Sequence, residues 1–441
     1  MELEYDATSK VSIWKTSRKL TGKTLRQATT LPSEIVDNPK HKGDLGTLVE
    51  NYFFLINPGN SPEPDFPLAG LELKTTGVVS SKSGGWRAKE RLVLSMIDYN
   101  EIVKESWQGS SLLRKCGSVL ILFYEYVKEL AVIDRKFVLD PKLYELPNED
   151  IHQIKLDWET IQAKVMAGKA HELSEGDTFY LGACRKGSGG PNESLRSQPF
   201  SDTKAKSRAF CFKQGYLDLL IQTHLESFTD LAVGTAQSVP EATAARFDAY
   251  LGNTVEMLGD MFHFRKAGPN DKGYHRRLVQ KILGGNTDNI KELVKAGIEL
   301  KTIRVDSKWR CREAMSFPSF EFNSIIEEEW EDSEFFFRLE RKFLFVVFRT
   351  MEDGSERLEK VSYWNMPFSD REEARRVWER TKVMVGSNAK ILPKSSESPV
   401  AHVRPKAKNA EDKIRTPQGD FHTRQAFWLN KKYIEQVLSG L

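Results

Sequence analysis

The strongest constraint on the fold of this chain is an internal repeat. Gly70-Leu-Glu-Leu-Lys-Thr75 returns as Gly297-Ile-Glu-Leu-Lys-Thr302. Other landmarks return in the same order. Leu20-Thr-Gly-Lys-Thr24 has a partner near Leu251-Gly-Asn-Thr254, Lys42-Gly43 in Lys272-Gly273, and Leu48-Val49-Glu50 in Leu278-Val279-Gln280. Trp86-Arg87 is answered by Trp309-Arg310, Ser95 by Ser316, Trp107 by Trp330 and Trp158 by Trp378. Ala209-Phe210 with Tyr216 is answered by Ala426-Phe427 with Tyr433. The separation between partners drifts from 230 at Glu50 and Gln280 to 217 at Tyr216 and Tyr433, as small deletions in a second copy produce. One hexapeptide can recur by chance; an ordered series over both halves cannot, so the chain is a tandem duplication. Residues 1–230 and 231–441 are the expected units, with the boundary between His224 and the Tyr250 region. Thr235 to Ala245, rich in Ala, Ser, Thr and Pro, is the expected linker or short helix there.

Within the first copy, Leu45, Leu48, Val49, Tyr52, Phe53 and Ile56 recur at helical spacing behind Asp44, a capping residue. Glu50 lies at the edge of that stripe. Strands are expected at Leu71–Val79, Leu92–Ile97 and Val119–Tyr126, a helix from about Trp158 to Met166, and a closing helix from about Tyr216 to Leu225. The repeat implies the same order again, ending with Lys431–Leu438. Helices and strands around a short mixed central sheet read as α/β or α+β, twice over. Each unit is long enough for its own core. The tryptophans named above read as core residues.

Several classes of function are disfavoured. Cys116, Cys184, Cys211 and Cys311 are scattered, and the histidines show no ligand spacing, so neither a zinc site nor a disulfide framework is suggested. A reducing cytoplasm is the expected location. The N-terminal Met-Glu-Leu-Glu-Tyr-Asp is no signal peptide, and the longest apolar run, Val119 to Tyr126, is too short to span a bilayer, so no membrane partner is expected. A net charge of +3 decides nothing by itself; local clusters matter more.

The chemistry concentrates at Pro64-Asp65-Phe-Pro-Leu-Ala-Gly-Leu-Glu72-Leu-Lys74-Thr75. On a strand, Leu71 and Leu73 point one way and Glu72 and Lys74 the other, and Asp65 can swing its carboxylate to the Glu72 side. Such hard oxygen ligands suit magnesium or manganese. An acid some way before Glu-x-Lys is the arrangement of metal-dependent DNA nucleases. Comparing copies sharpens it: Glu50, Asp65, Glu72 and Lys74 face Gln280, Glu292, Glu299 and Lys301. Glutamine cannot supply the charge of Glu50, and Glu292 is a methylene longer than Asp65. Magnesium tolerates little error in ligand position, so the second copy is expected to keep the fold and lose the chemistry.

Asn60-Ser-Pro-Glu-Pro-Asp65-Phe-Pro-Leu-Ala-Gly-Leu-Glu72-Leu-Lys74-Thr75 resembles the catalytic segment of the MutH mismatch-repair nicking endonucleases. It is equally similar to that of the Sau-type restriction endonucleases, which carry two MutH-like domains. Leu20-Thr-Gly-Lys-Thr-Leu25, Lys42-Gly43 through Glu50, Arg404-Pro-Lys-Ala-Lys-Asn-Ala410 and Phe427-Trp-Leu-Asn-Lys-Lys-Tyr433 extend the resemblance over both halves. It implies a duplicated restriction-endonuclease-like fold and a Mg2+-dependent type II endonuclease, with Mn2+ able to substitute. Double-stranded DNA would be cut at a short palindrome, GATC in the Sau-type enzymes, beside a DNA methyltransferase acting on the same site. Asp65 and Glu72 would ligate the metal with the Leu73 carbonyl, and Glu50 would complete the acidic cluster, either through a water or at a second metal. Lys74 would orient the attacking water. Lys115 stands where the family has a further active-site lysine, and its counterpart is Leu339. One active site per chain would then need a dimer or a looped complex on DNA to cut both strands. A mismatch-repair nickase and a non-cleaving DNA-binding protein are the alternatives. The duplication counts against the first and the intact acid set against the second.

Two basic clusters at equivalent places point to the DNA contact. The first runs from Arg185 to Lys213 and includes Arg185, Lys186, Lys206 and Arg208; the second includes Arg404, Lys406 and Lys408. Arg and Lys can read guanine edges, which makes Arg404 and Lys406 the expected base readers. The MutH tyrosine that senses the adenine methyl group is replaced by Cys211 and Trp428.

Overall fold

Val119 to Phe123 is apolar on both faces, which a strand tolerates only when it is covered on both sides. In the computed structural model this stretch lies in the central strand Ser118–Glu125. That strand runs parallel to Glu72–Ser80, with Glu72 opposite Val119, and antiparallel to Lys142–Glu145. Trp86–Ala88 closes the far edge of the sheet. The structure describes residues 3–37, 45–56, 62–81, 84–187, 195–222, 230–231, 237–268, 271 and 273–441. Lys42, Gly43, Asp44, Asn60, Ser61, His224, Leu225, Thr235 and Lys272 lie outside them.

Leu71, Leu73, Leu120 and Leu122 line one sheet face and pack on Leu45, Leu48 and Val49 of the helix Leu45–Tyr52. Val78, Val119, Ile121 and Phe123 line the other, against Trp158 and a second sheet ordered Leu92–Met96, Arg208–Phe212, Leu181–Arg185. The long helix begins at Asn148, ten residues before the expected start at Trp158. Its first turns carry Glu149 and Asp150, favourable near a helix N-terminus but silent in an apolar pattern.

The same order returns. Glu299–Val305 runs parallel to Phe343–Thr350, which pairs antiparallel with Glu356–Trp364. A second sheet orders Met315–Phe320, Gln425–Leu429 and Ala401–Pro405. The repetition extends to side chains. Trp107 and Trp158 lie 5.9 Å apart at 59°, and Trp330 and Trp378 lie 5.7 Å apart at 55°. These buried rings are core, as expected. The Tyr216 hydroxyl donates to Asp150 at 2.7 Å, and Tyr433 donates to Asp370 at 2.7 Å. One landmark shifts: Ser316 pairs with Trp428 as Val93 pairs with Cys211, so Ser316 answers to Val93 and not to Ser95.

One apolar cluster spans both halves. Val78, Ile121 and Trp158 share one continuous apolar cluster with Leu278, Val279, Leu300 and Val346 of the second half. Tyr5 to Phe137 and Ile303 to Leu438 also contribute clusters confined to one half each, and the shared seam joins the two. Two glycines show how tight it is. A Cβ at Gly215 would come within 2.0 Å of the Val294 carbonyl oxygen, and one at Gly176 within 2.9 Å of the Glu340 carbonyl oxygen. Asp150, 4% exposed, pairs with Lys295, 16% exposed, at 2.6 Å across the seam. No described helix is long and apolar enough to cross a membrane.

Candidate active site

The spacing between Asp65 and Glu72 is set by a tight turn. Phe66 and Leu71 exchange backbone hydrogen bonds of 2.9 and 3.2 Å, and Gly70 between them has φ +61°, a left-handed conformation that favours glycine. The turn folds Asp65 back beside the start of the strand. Its carboxylate accepts from the Leu73 amide at 2.8 Å, while its own amide donates to Glu72 Oε2 at 3.2 Å. Strand alternation puts Lys74 on the Glu72 side, and its ammonium donates to Glu72 Oε1 at 2.5 Å. Lys115, in the last turn of the helix Ser111–Cys116, approaches the same oxygen at 3.8 Å.

Glu72 is 1% exposed. Burial raises its pKa, the Asp65 charge adds to the effect, and the lysines only partly offset it. Burial alone would depress Lys74, but Glu72 and Asp65 hold its ammonium above the ordinary lysine value. The neighbouring Cys116 thiol is pushed up to about 12 by burial, so it offers no thiolate nucleophile.

Glu50 is half-buried on the helix that packs beneath Leu73. Among the described residues, no three His, Cys, Asp or Glu side chains close into a metal cage. Asp65 and Glu72 are the carboxylate pair that meets here. A pair is what a magnesium-type ion commonly takes from protein, the rest of its shell being water and phosphate oxygen. Two hard carboxylates converging at the edge of an apolar core fit such an ion.

The second half keeps one of these contacts and changes the others. Gln280 donates to the Asn286 side-chain oxygen at 3.0 Å. Glu292 sits on the helix Lys291–Ala296, and its carboxylate accepts from the Leu231 amide at 2.8 Å. Glu299 keeps its lysine, Lys301 at 2.8 Å. Strand register matches Val119 with Phe343, which places Leu339, fully buried, at the position of Lys115. The preceding residue, Arg338, reaches Glu299 instead, at 3.4 Å. Burial would raise the Glu299 pKa, but Lys301, Arg338 and Arg341 bring it below the ordinary value, the opposite of Glu72. The repeat does not mark Arg338, because it lies beside the position equivalent to Lys115 and not at it.

The basic clusters divide. Arg185 and Lys206 pair with Glu331 of the second half at 2.9 and 2.8 Å. Arg208 is buried, its guanidinium donating to the Ala183 carbonyl at 2.6 Å. Lys213 is buried too, donates to the Thr178 and Ala296 carbonyls at 2.6 and 3.3 Å, and is depressed to about 8 by burial. Of the residues expected to face DNA, Arg208 and Lys213 are thus inside the fold, while Arg185 and Lys206 are half-buried and engaged by Glu331. Lys186 alternates to the face opposite Arg185 and is half-buried. In the second half, Arg404, Lys406 and Lys408 are exposed. Arg404 lies 3.8 Å above the Trp428 ring, and Lys406 donates to the Phe317 carbonyl at 2.7 Å. Where Arg404 and Trp428 stand on adjacent strands, the first half has Cys184 and Cys211.

A parallel-strand core with an acid pair and two lysines at one end, repeated with a degenerate centre, defines a duplicated nuclease fold. The chain belongs to the family of MutH-like, Sau3AI-type restriction enzymes. It is 32% identical to the type II restriction enzyme Sau3AI of Staphylococcus aureus over 91% of this chain and 93% of that enzyme. The family model of the DNA mismatch repair enzyme MutH matches twice, at residues 54–157 and 284–376. The DNA mismatch repair protein MutH of Salmonella paratyphi C (strain RKS4594) is 25% identical over 47% of this chain and 89% of its own length. The MutH of Shewanella baltica (strain OS185) is 28% identical over 31% of this chain and 59% of its own length. Nearly a whole MutH therefore spans about half of this chain, the ratio that a duplicated unit requires.

Proposed function

We propose that this protein is a type II restriction endonuclease hydrolysing double-stranded DNA at a short palindrome, GATC by its kinship with Sau3AI, with the chemistry confined to residues 1–230. The observation that carries this reading is the convergence of Asp65, Lys74 and Lys115 on Glu72, whereas Glu299 meets Lys301 and Arg338 and lacks an Asp65 counterpart, Glu292 being turned to Leu231. Asp65 and Glu72 would hold Mg2+, or Mn2+ in its place. When bound, the ion neutralises charge on the scissile phosphate and favours ionisation of water. Lys74 positions the attacking water and, with Lys115, stabilises negative charge that develops on the phosphate oxygens. The buried setting of Glu72 strengthens these interactions.

Residues 231–441 serve as a second DNA-binding module that presents Arg404, Lys406 and Lys408. A single active site cuts one strand per visit, so double-strand cleavage calls for two chains on the site, or for a loop joining two sites. A methyltransferase of the same specificity is the expected companion, sparing the host's own sites.

The test is digestion of supercoiled plasmid by wild type, Asp65→Ala and Glu72→Gln with Mg2+ and with chelator. Cutting should require the ion and both carboxylates, while binding survives. A variant lacking Asp65 that still cuts would reject the assigned centre.

A further inference from the structure

The two centres share a backbone frame, but the first balances its charges and the second carries an excess of positive charge. In the first, Lys74 and Lys115 face the carboxylates of Glu72 and Asp65, so a phosphate gains no net attraction until a cation arrives. In the second, the Asp65 counterpart has left: Glu292 caps Leu231. Arg338 has turned in to Glu299 and also pairs with Glu334 at 2.7 Å. Lys301 stays at 2.8 Å from Glu299. Arg341 adds its charge to the field at Glu299. Lys406, from the exposed Arg404–Lys408 stretch, is anchored on the Phe317 carbonyl and feels Lys301, Glu299 and Arg338. Four cations therefore surround Glu299 and Glu334. The side chains of Glu299, Lys301 and Arg338 keep 16, 20 and 26% of their surface exposed, so the centre is open to a ligand.

We propose that this second centre is a metal-independent clamp for a DNA backbone phosphate, in which the Arg338 guanidinium, with Lys301 and Lys406, supplies the positive charge that a divalent ion supplies in the first. Guanidinium suits the task because its planar fork donates two hydrogen bonds to phosphate and never loses its charge. Glu299 is the internal counterion, which a phosphate must partly displace. The proposal rests on the reading that residues 231–441 bind DNA, and it adds where they grip and why no metal is needed.

The experiment uses the full chain in EDTA, with a fluorescent GATC duplex of about 20 base pairs, two helical turns, followed by anisotropy across a salt series. Arg338→Met should weaken metal-free binding roughly tenfold, the scale of one charged hydrogen bond, and flatten the salt slope by about one. Glu299→Gln should tighten binding severalfold, a gain that damage to the fold cannot produce. Loss in R338M without gain in E299Q would overturn the clamp. Both variants binding like wild type while Arg404→Ala weakens binding would overturn the clamp and leave the second half a DNA-binding module. If Arg404→Ala also binds like wild type, the module reading falls with it.

Discussion

Arg338 stands 3.4 Å from Glu299, one residue before the helix position from which Lys115 stands 3.8 Å from Glu72 in the first half. The guanidinium and Lys301 neutralise Glu299, so that carboxylate has little left to offer a metal. Glu72, with the second carboxylate of Asp65 beside it, has its charge only partly offset by the lysines, and this difference supports the proposed division of labour between the halves.

Lys74 is the nearer of the two lysines to Glu72. Lys74→Met should lower kcat about 100- to 1,000-fold, the scale for losing one donor aimed at developing charge. Lys115→Met should cost less. Single-turnover cleavage of a labelled duplex separates this effect from binding.

Burial raises the Glu72 pKa above the ordinary 4.5. A carboxyl raised in the fold favours folding below its unfolded pKa, and that advantage is lost as pH rises through the folded value. Ionised Glu72 is therefore a stability cost at neutral pH. Glu72→Gln, inactive in cleavage, should melt higher than wild type at pH 7 in chelator, and the gap should close below about pH 4.5. Differential scanning fluorimetry across pH measures it.

Lys213 and Lys342 are each depressed to about 8, chiefly by burial at the seam. Between pH 8 and 10.5 the unfolded chain holds protons that the folded chain has released, so stability from these lysines rises with pH in that window. Wild type should gain melting temperature relative to Lys213→Met from pH 8 to about 10. A flat difference would contradict the assignment.

The shared core predicts that both halves unfold in one calorimetric transition. Lys295→Met leaves the Asp150 carboxylate buried beside Tyr216 without its cation and should cost about 3 kcal/mol. Gly215→Ala would drive a methyl group into the Val294 carbonyl and should cost about 1–3 kcal/mol. Two separate transitions in the wild type would contradict the shared core.

Trp428 supports Arg404 through a ring contact of 3.8 Å. Trp428→Ala should free that arginine and weaken duplex binding about 3- to 30-fold, the worth of a cation–π contact of roughly 1–2 kcal/mol. Trp428→Tyr should retain most of the affinity. Anisotropy on matched and mismatched duplexes tests both.

The sequence by itself determined the duplication, the mixed sheets and the Asp65, Glu72 and Lys74 set. These are local facts: a four-residue turn and a two-residue strand period place all three side chains before any distant contact forms. Lys115 came through family resemblance, and the helix leading into the partner strand delivers it to Glu72. Tertiary structure alone decided the rest. Arg185, Lys206 and Lys213 look identical in sequence to DNA-facing residues, because composition does not record which strand face the second half will cover. Glu292 keeps its spacing from Glu299 yet turns away, because its helix carries it to Leu231. Arg338 enters the second centre because Leu339 is buried at the Lys115 position, leaving the adjacent side chain to reach Glu299. Spacing along a chain specifies what one element can present, whereas packing between elements decides which of those groups meet a neighbour and which meet DNA.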